Sequence, residues 1–69
     1  MHFETLIKQI KERRDALNVT QEMLAAISGV SLRALKQFES GKGNPTLGTL
    51  TKLCDALGLE LNLKVKTNE

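Results

Sequence analysis

The side chains best equipped for chemistry are a guanidinium, an ammonium and an amide set close together: Arg33, Lys36 and Gln37, with Leu32 beside them. At helical spacing they share one side of a helix whose other side Leu35 and Phe38 claim. Arginine is a rigid donor fork, glutamine both donates and accepts, and leucine offers a methyl surface. That mixture suits the edges of base pairs, in a major groove about 12 Å wide, better than it suits a reaction. Lys36 again, with Lys42 and Asn44 in the loop that follows, is better matched to phosphates, which hold a protein in place without conveying sequence.

Catalytic sets are missing from the same inventory. The chain has one histidine, His2, near its first residue, and one cysteine, Cys54, within a leucine stripe. No nucleophile, base and orienting group can be assembled from these, so we expect no enzyme. Gly41-Lys42 is followed by Gly43 and lacks the upstream glycine of a phosphate-binding loop. With one Cys and one His we expect no metal site, and no cofactor or small-molecule ligand is indicated.

The bulk composition sets the frame. Sixty-nine residues fit one domain, and a hydrophobic share of 41% against a net charge of +2 belongs to a folded chain. A core of this size is thin, and pairing of two copies is a common supplement. A single cysteine allows no internal disulfide, and there is neither a secretory leader pattern nor an apolar run of about 18 residues, so a cytoplasmic setting without membrane contact is expected.

The elements that must position the candidate side chains read as follows. Phe3, Leu6, Ile7 and Ile10 recur at helical spacing, extended by Ala16 and Leu17, which predicts a first helix from about Glu4 to Leu17 ended at Asn18. Thr20 caps a second helix over 21–27, burying Leu24, Ala25 and either Ile27 or Ser28, and Gly29 supplies a sharp turn. Ser31 caps a third helix reaching about Ser40. Thr46 caps a fourth whose Leu47, Leu50, Leu53, Cys54 and Leu57 form one stripe, ended by Gly58. Two short helices joined by a turn at Gly29 must cross steeply, with small Ala25 at the closest approach and Val30 and Leu35 in the crevice: the physical content of a helix-turn-helix.

After Gly58 the period becomes two: Leu59, Leu61, Leu63 and Val65 alternate with Glu60, Asn62, Lys64 and Lys66. A lone strand leaves its backbone groups unmet, so a second copy is the expected partner. The predicted fold is therefore all-α, a compact domain of four to five helices, plus one C-terminal β-strand pairing across a homodimer. Residues 1–58 form the helical domain, 59–66 the dimerisation strand of the same domain, and 67–69 a frayed tail.

The string Thr20-Gln21-Glu22-x-Leu24-Ala25-x-x-x-Gly29-Val30-Ser31, with Leu35, Phe38-Glu39-x-Gly41-Lys42-x-Asn44-Pro45, Leu50 and Leu53, resembles the λ-repressor/Cro-type (XRE-type) helix-turn-helix regulators. Ser28 departs from the pattern, because the family usually puts an apolar residue there; Ile27 packing inward would compensate. The resemblance implies that Ser31, Leu32, Arg33 and Gln37 fall on base-reading positions and that Thr20 and Gln21 touch phosphate. It further implies that Arg14 and Glu39 form a structural bridge. Leu57-Gly58-Leu59-Glu60-Leu61-Asn62-Leu63 is similar to the ending of HipB-like antitoxins, which would imply a HipA-like kinase toxin as partner. The expected function is sequence-specific binding of double-stranded operator DNA by a dimeric repressor. The alternative is a protein-interaction module acting through the strand.

Overall fold

Three hydroxyl side chains set where three of the helices begin. In the computed structural model, which describes residues 4–66, Thr20, Ser31 and Thr46 each hold extended backbone. Each accepts a hydrogen bond from the amide three residues on: Met23 N at 3.0 Å, Ala34 N at 3.1 Å and Thr49 N at 3.0 Å. An exposed amide of the first helical turn is thereby satisfied in each case. The order is α1 (Glu4–Ala16), α2 (Gln21–Ser28), α3 (Leu32–Glu39) and α4 (Leu47–Ala56). The fold is all-α, with no fifth helix among the described residues. Phe3, assigned from the sequence to the first apolar stripe, and the tail 67–69 lie outside the described residues.

A left-handed residue follows each of the four helices: Asn18, Gly29, Gly41 and, as the sequence predicts for α4, Gly58. Asn18 follows α1 at φ 56°, and Gly29 follows α2 at φ 78°, its amide donating to Ala25 O at 3.1 Å. Asparagine and glycine are the residues that adopt this conformation at little cost. The chain then needs only Gly29, Val30 and Ser31 to redirect itself from α2 into α3.

Burial draws the four helices onto one core. Ile10 comes from α1, Leu24 from α2, Leu35 and Phe38 from α3, and Leu50, Leu53 and Cys54 from α4, joined by Val30 and Leu57. α2 packs on both α4 and α3, and α1 lies against α3. Full burial of a leucine contributes about 1.5–3 kcal/mol, so Leu24, Leu35, Leu53 and Leu57 together outweigh any surface term. Burial also pushes the Cys54 thiol above its ordinary range, with Asp55 adding to the effect. The thiol is protonated packing material, not a nucleophile.

The structure corrects several sequence expectations. Ile27 does not pack inward; it is 62% exposed. Leu24 and Ser28 share the inner side of α2, and Ser28 stays half-buried because its hydroxyl accepts the Val30 amide at 3.2 Å. Leu47 is 69% exposed, since the core ends at the level of Leu50. Leu17 lies beyond the end of α1, and it too is exposed.

Residues 59–66 form no strand in the single chain. A strand exists by ladder hydrogen bonds, and among the described residues no second edge is present to supply them. Leu59 folds back on its own domain, its amide donating to Cys54 O at 2.8 Å. Leu63 and Val65, by contrast, are 99% and 93% exposed.

A Cβ added at Gly29 would meet no heavy atom within 4 Å, so only backbone strain opposes substitution there. Gly29→Ala is expected to lower stability by about 1–2 kcal/mol, and Gly29→Asn by less, in urea unfolding. Equal losses for the two variants would place the cost in packing instead.

Candidate nucleic-acid interface

The outward face of α3 follows from its phase. Leu35, Phe38 and Glu39 are buried, which turns Arg33, Lys36 and Gln37 outward. None of these three side chains makes a hydrogen bond or ion pair among the described residues, so their donors are uncommitted. Leu32 is half-buried and offers only part of its side chain to the same surface. Ser31 is exposed; its oxygen already accepts the Ala34 amide, leaving the hydroxyl proton to give. Eight residues make α3 about 12 Å long, commensurate with a major groove.

The loop after α3 brings two further candidates to this surface. Gly41 and Gly43 both hold positive φ, and the Lys42 amide donates to Gln37 O at 2.9 Å, which bends the loop back over the end of α3. Gln37, Lys42, Asn44 and Thr49 consequently line one shallow cleft. Arg33, Lys36 and Lys42 carry three exposed positive charges on α3 and its loop, while Glu39, the acidic residue of α3, is buried and paired.

That buried acid organises the remaining candidates. Glu39 is 7% exposed, and Arg14 grips it with two bonds, Nε to Oε2 at 2.8 Å and Nη2 to Oε1 at 2.9 Å. The third nitrogen of Arg14, Nη1, donates to Val19 O at 2.9 Å. The hydrogen bond to Glu39 raises the Arg14 pKa above its ordinary value, against the opposing pull of burial. Gln21 joins the set: its Nε2 donates to Glu39 Oε1 at 3.0 Å. Nothing in the sequence pattern pointed to this bond, because eighteen positions separate the two residues. Thr20, next to Gln21, uses its oxygen as the cap of α2 and keeps its hydroxyl proton.

A second arginine was also missed. Arg13 Nε donates to Leu57 O at 2.9 Å, tying the last turn of α1 to the residue that closes α4. The only sequence signal was its place in the basic last turn of α1.

A short exposed helix, delivered by a three-residue turn from a helix locked to the same core, defines a helix-turn-helix protein. A family model described as helix-turn-helix matches residues 10–64, and the chain belongs to this family of transcriptional regulators, which are not enzymes. It is 43% identical over 58 residues to the cryptic phage CTXphi transcriptional repressor RstR of Vibrio cholerae serotype O1, covering 78% of this chain and 52% of that protein. It is 38% identical over 58 residues to an uncharacterized HTH-type transcriptional regulator of Haemophilus influenzae, covering 84% and 59%. A third relative is an SPbeta prophage-derived HTH-type regulator, YonR, of Bacillus subtilis, 30% identical over 59 residues and covering 86% and 55%. The chain thus spans only about half the length of these relatives. No helix among the described residues is long and apolar enough to cross a membrane.

Arg14→Met is expected to cost about 3–5 kcal/mol of stability, because it strands a buried carboxylate. The preferred DNA sequence should stay the same, since neither member of the pair faces outward. Thermal melts and a binding-site selection on the variant check both halves.

Proposed function

We propose that this chain binds double-stranded DNA sequence-specifically as a homodimer and represses transcription. One observation carries the reading: a row of uncommitted donors, Arg33, Lys36 and Gln37, stands on a helix whose opposite face is locked into the core. In this reading α3 enters the major groove. Arg33 takes a guanine through its two-pronged fork, Gln37 an adenine, Leu32 a thymine methyl, and Ser31 donates its free hydroxyl proton to a base edge. Thr20, Gln21, Lys36, Lys42 and Asn44 hold phosphates on either side. Arg14 and Glu39 keep the scaffold in place. The phage and prophage origin of two relatives favours a phage-type repressor working in the cytoplasm. An antitoxin with a HipA-like kinase partner rests on the tail residues alone and ranks second.

The tail is the proposed dimer contact. Antiparallel pairing of two copies centred on Leu63 would set Leu61 opposite Val65, Leu63 opposite its own copy and Glu60 opposite Lys66. A two-fold axis relates the halves of such a pair, as a closed dimer requires. It would also give the ladder partner that residues 59–66 lack. The same axis would present two copies of α3 to half-sites about one helical turn of DNA apart.

Selection from a random DNA pool tests the function: a two-fold symmetric site supports it, and no enrichment overturns it. On the selected site Arg33→Ala should cost about 1–3 kcal/mol and relax the preference at one position. Equal loss on every sequence would make Arg33 a phosphate contact. Leu63→Lys should weaken both dimerisation in sedimentation and operator affinity; a variant that stays dimeric at micromolar concentration would move the contact to the helices.

A further inference from the structure

The buried bridge does more than hold the scaffold, because its third partner is a proposed DNA contact. Glu39 Oε2 accepts from Arg14 Nε at 2.8 Å, and Oε1 accepts from both Arg14 Nη2 at 2.9 Å and Gln21 Nε2 at 3.0 Å. Arg14 is itself held at three points, so the carboxylate cannot swing away. An ionised carboxylate only accepts, so the atom of the Gln21 amide facing it must be the nitrogen. A glutamine on open surface has no such constraint and samples both faces of its amide.

Pinning the amide nitrogen restricts how the whole amide can turn. Gln21 Nε2 carries two hydrogens, of which Glu39 takes one; the second has no acceptor among the described residues. Gln21 is the first residue of α2 and only half-buried, whereas Glu39 is buried beneath it. The uncommitted N–H is therefore the polar part of this network left for an outside acceptor. A phosphate oxygen is such an acceptor. The amide carbonyl is uncommitted as well, but it can only accept, so the second N–H is what Gln21 can offer to a phosphate.

We propose that Glu39 is a positioning residue for DNA binding: it fixes the Gln21 amide through one N–H and leaves the other as a donor for a phosphate of the duplex. The inference rests on the reading of Gln21 as a phosphate contact. Glu39 is also the last residue of α3, so the contact made from α2 and the groove contacts made from α3 share one anchor. The spacing between phosphate grip and base readout is then set by a carboxylate that touches no DNA.

A double-mutant cycle on the selected operator tests this. Glu39→Asp keeps the negative charge near Arg14 while drawing the carboxylate back from both Arg14 and Gln21 by one methylene; Gln21→Leu removes the amide. Binding is measured at fixed salt, at a temperature where circular dichroism shows every variant folded. Gln21→Leu should weaken binding about tenfold in the parent chain, as loss of a bond to a charged group does. In the Glu39→Asp background the same change should cost about twofold or less, because the coupled contact is already lost. The same loss in both backgrounds would show that Glu39 is scaffold alone and overturn the proposal.

Nitrogen-15 spectra of the free protein give a readout that needs neither DNA nor a folded variant. The two Gln21 side-chain protons should be widely separated in the parent chain, one of them shifted by the carboxylate; a narrow, freely rotating pair overturns the proposal. Gln21→Leu binding as tightly as the parent also overturns it, while the reading of α3 stands. A parent chain that binds no duplex overturns the function itself, and the spectra then report on the Glu39–Gln21 bond separately.

Discussion

Arg14 spends every nitrogen of its guanidinium on places that must not drift apart: two on Glu39 at the end of α3, one on Val19 just before α2. Glu39 extends the tie to Gln21, the first residue of α2. A buried carboxylate is tolerated only when its charge and lone pairs are met, so a displacement of α2 or α3 by an ångström or two leaves an uncompensated group inside. The leucine core is more forgiving, since apolar surfaces accept many similar packings. The hydrophobic residues thus supply most of the stability, and the Arg14–Glu39–Gln21 set selects one crossing of the helices from the many that burial would allow.

The ends of the helices carry the rest of the definition. Thr20, Ser31 and Thr46 use the same hydroxyl-to-amide bond at three starts, and Asn18, Gly29, Gly41 and Gly58 use a left-handed exit at the four ends. These are local devices, each set by residues within a few positions of one another. Arg13 then joins the end of α1 to the end of α4 through Leu57 O, so the chain leaves the domain from a fixed point. Where residues 59–66 begin is consequently a property of the helical core.

Local chemistry is what the sequence made legible. The three caps and the two turns were readable because each depends on one residue type at one position, and Leu24, Leu35, Leu50 and Leu53 because their periodicity agrees with those boundaries. The errors fell where periodicity leaves a choice that only packing decides. Ile27 and Ser28 compete for the inner side of α2, and the serine takes it through the Val30 amide. Leu47 fits the stripe of α4, yet the core has ended by that level. In the site, the outward set Arg33, Lys36 and Gln37 follows from the phase of α3. The Gln21–Glu39 bond was hidden because it is a fact of three dimensions, reaching between helices at a separation no local pattern encodes. The strand over 59–66 was read from alternation alone, and alternation names a face without naming the neighbour that would pair with it.

The isolation of the outward face of α3 has an evolutionary consequence. Arg33, Lys36 and Gln37 hold nothing else in the domain together, so exchanging them leaves the caps, the core and the Arg14–Glu39 pair untouched. Surface changes of that kind alter stability by only a few tenths of a kcal/mol. Selection can therefore work through many combinations at these positions without passing through an unfolded intermediate. Chains sharing this scaffold can therefore differ widely on a single helix face while folding identically.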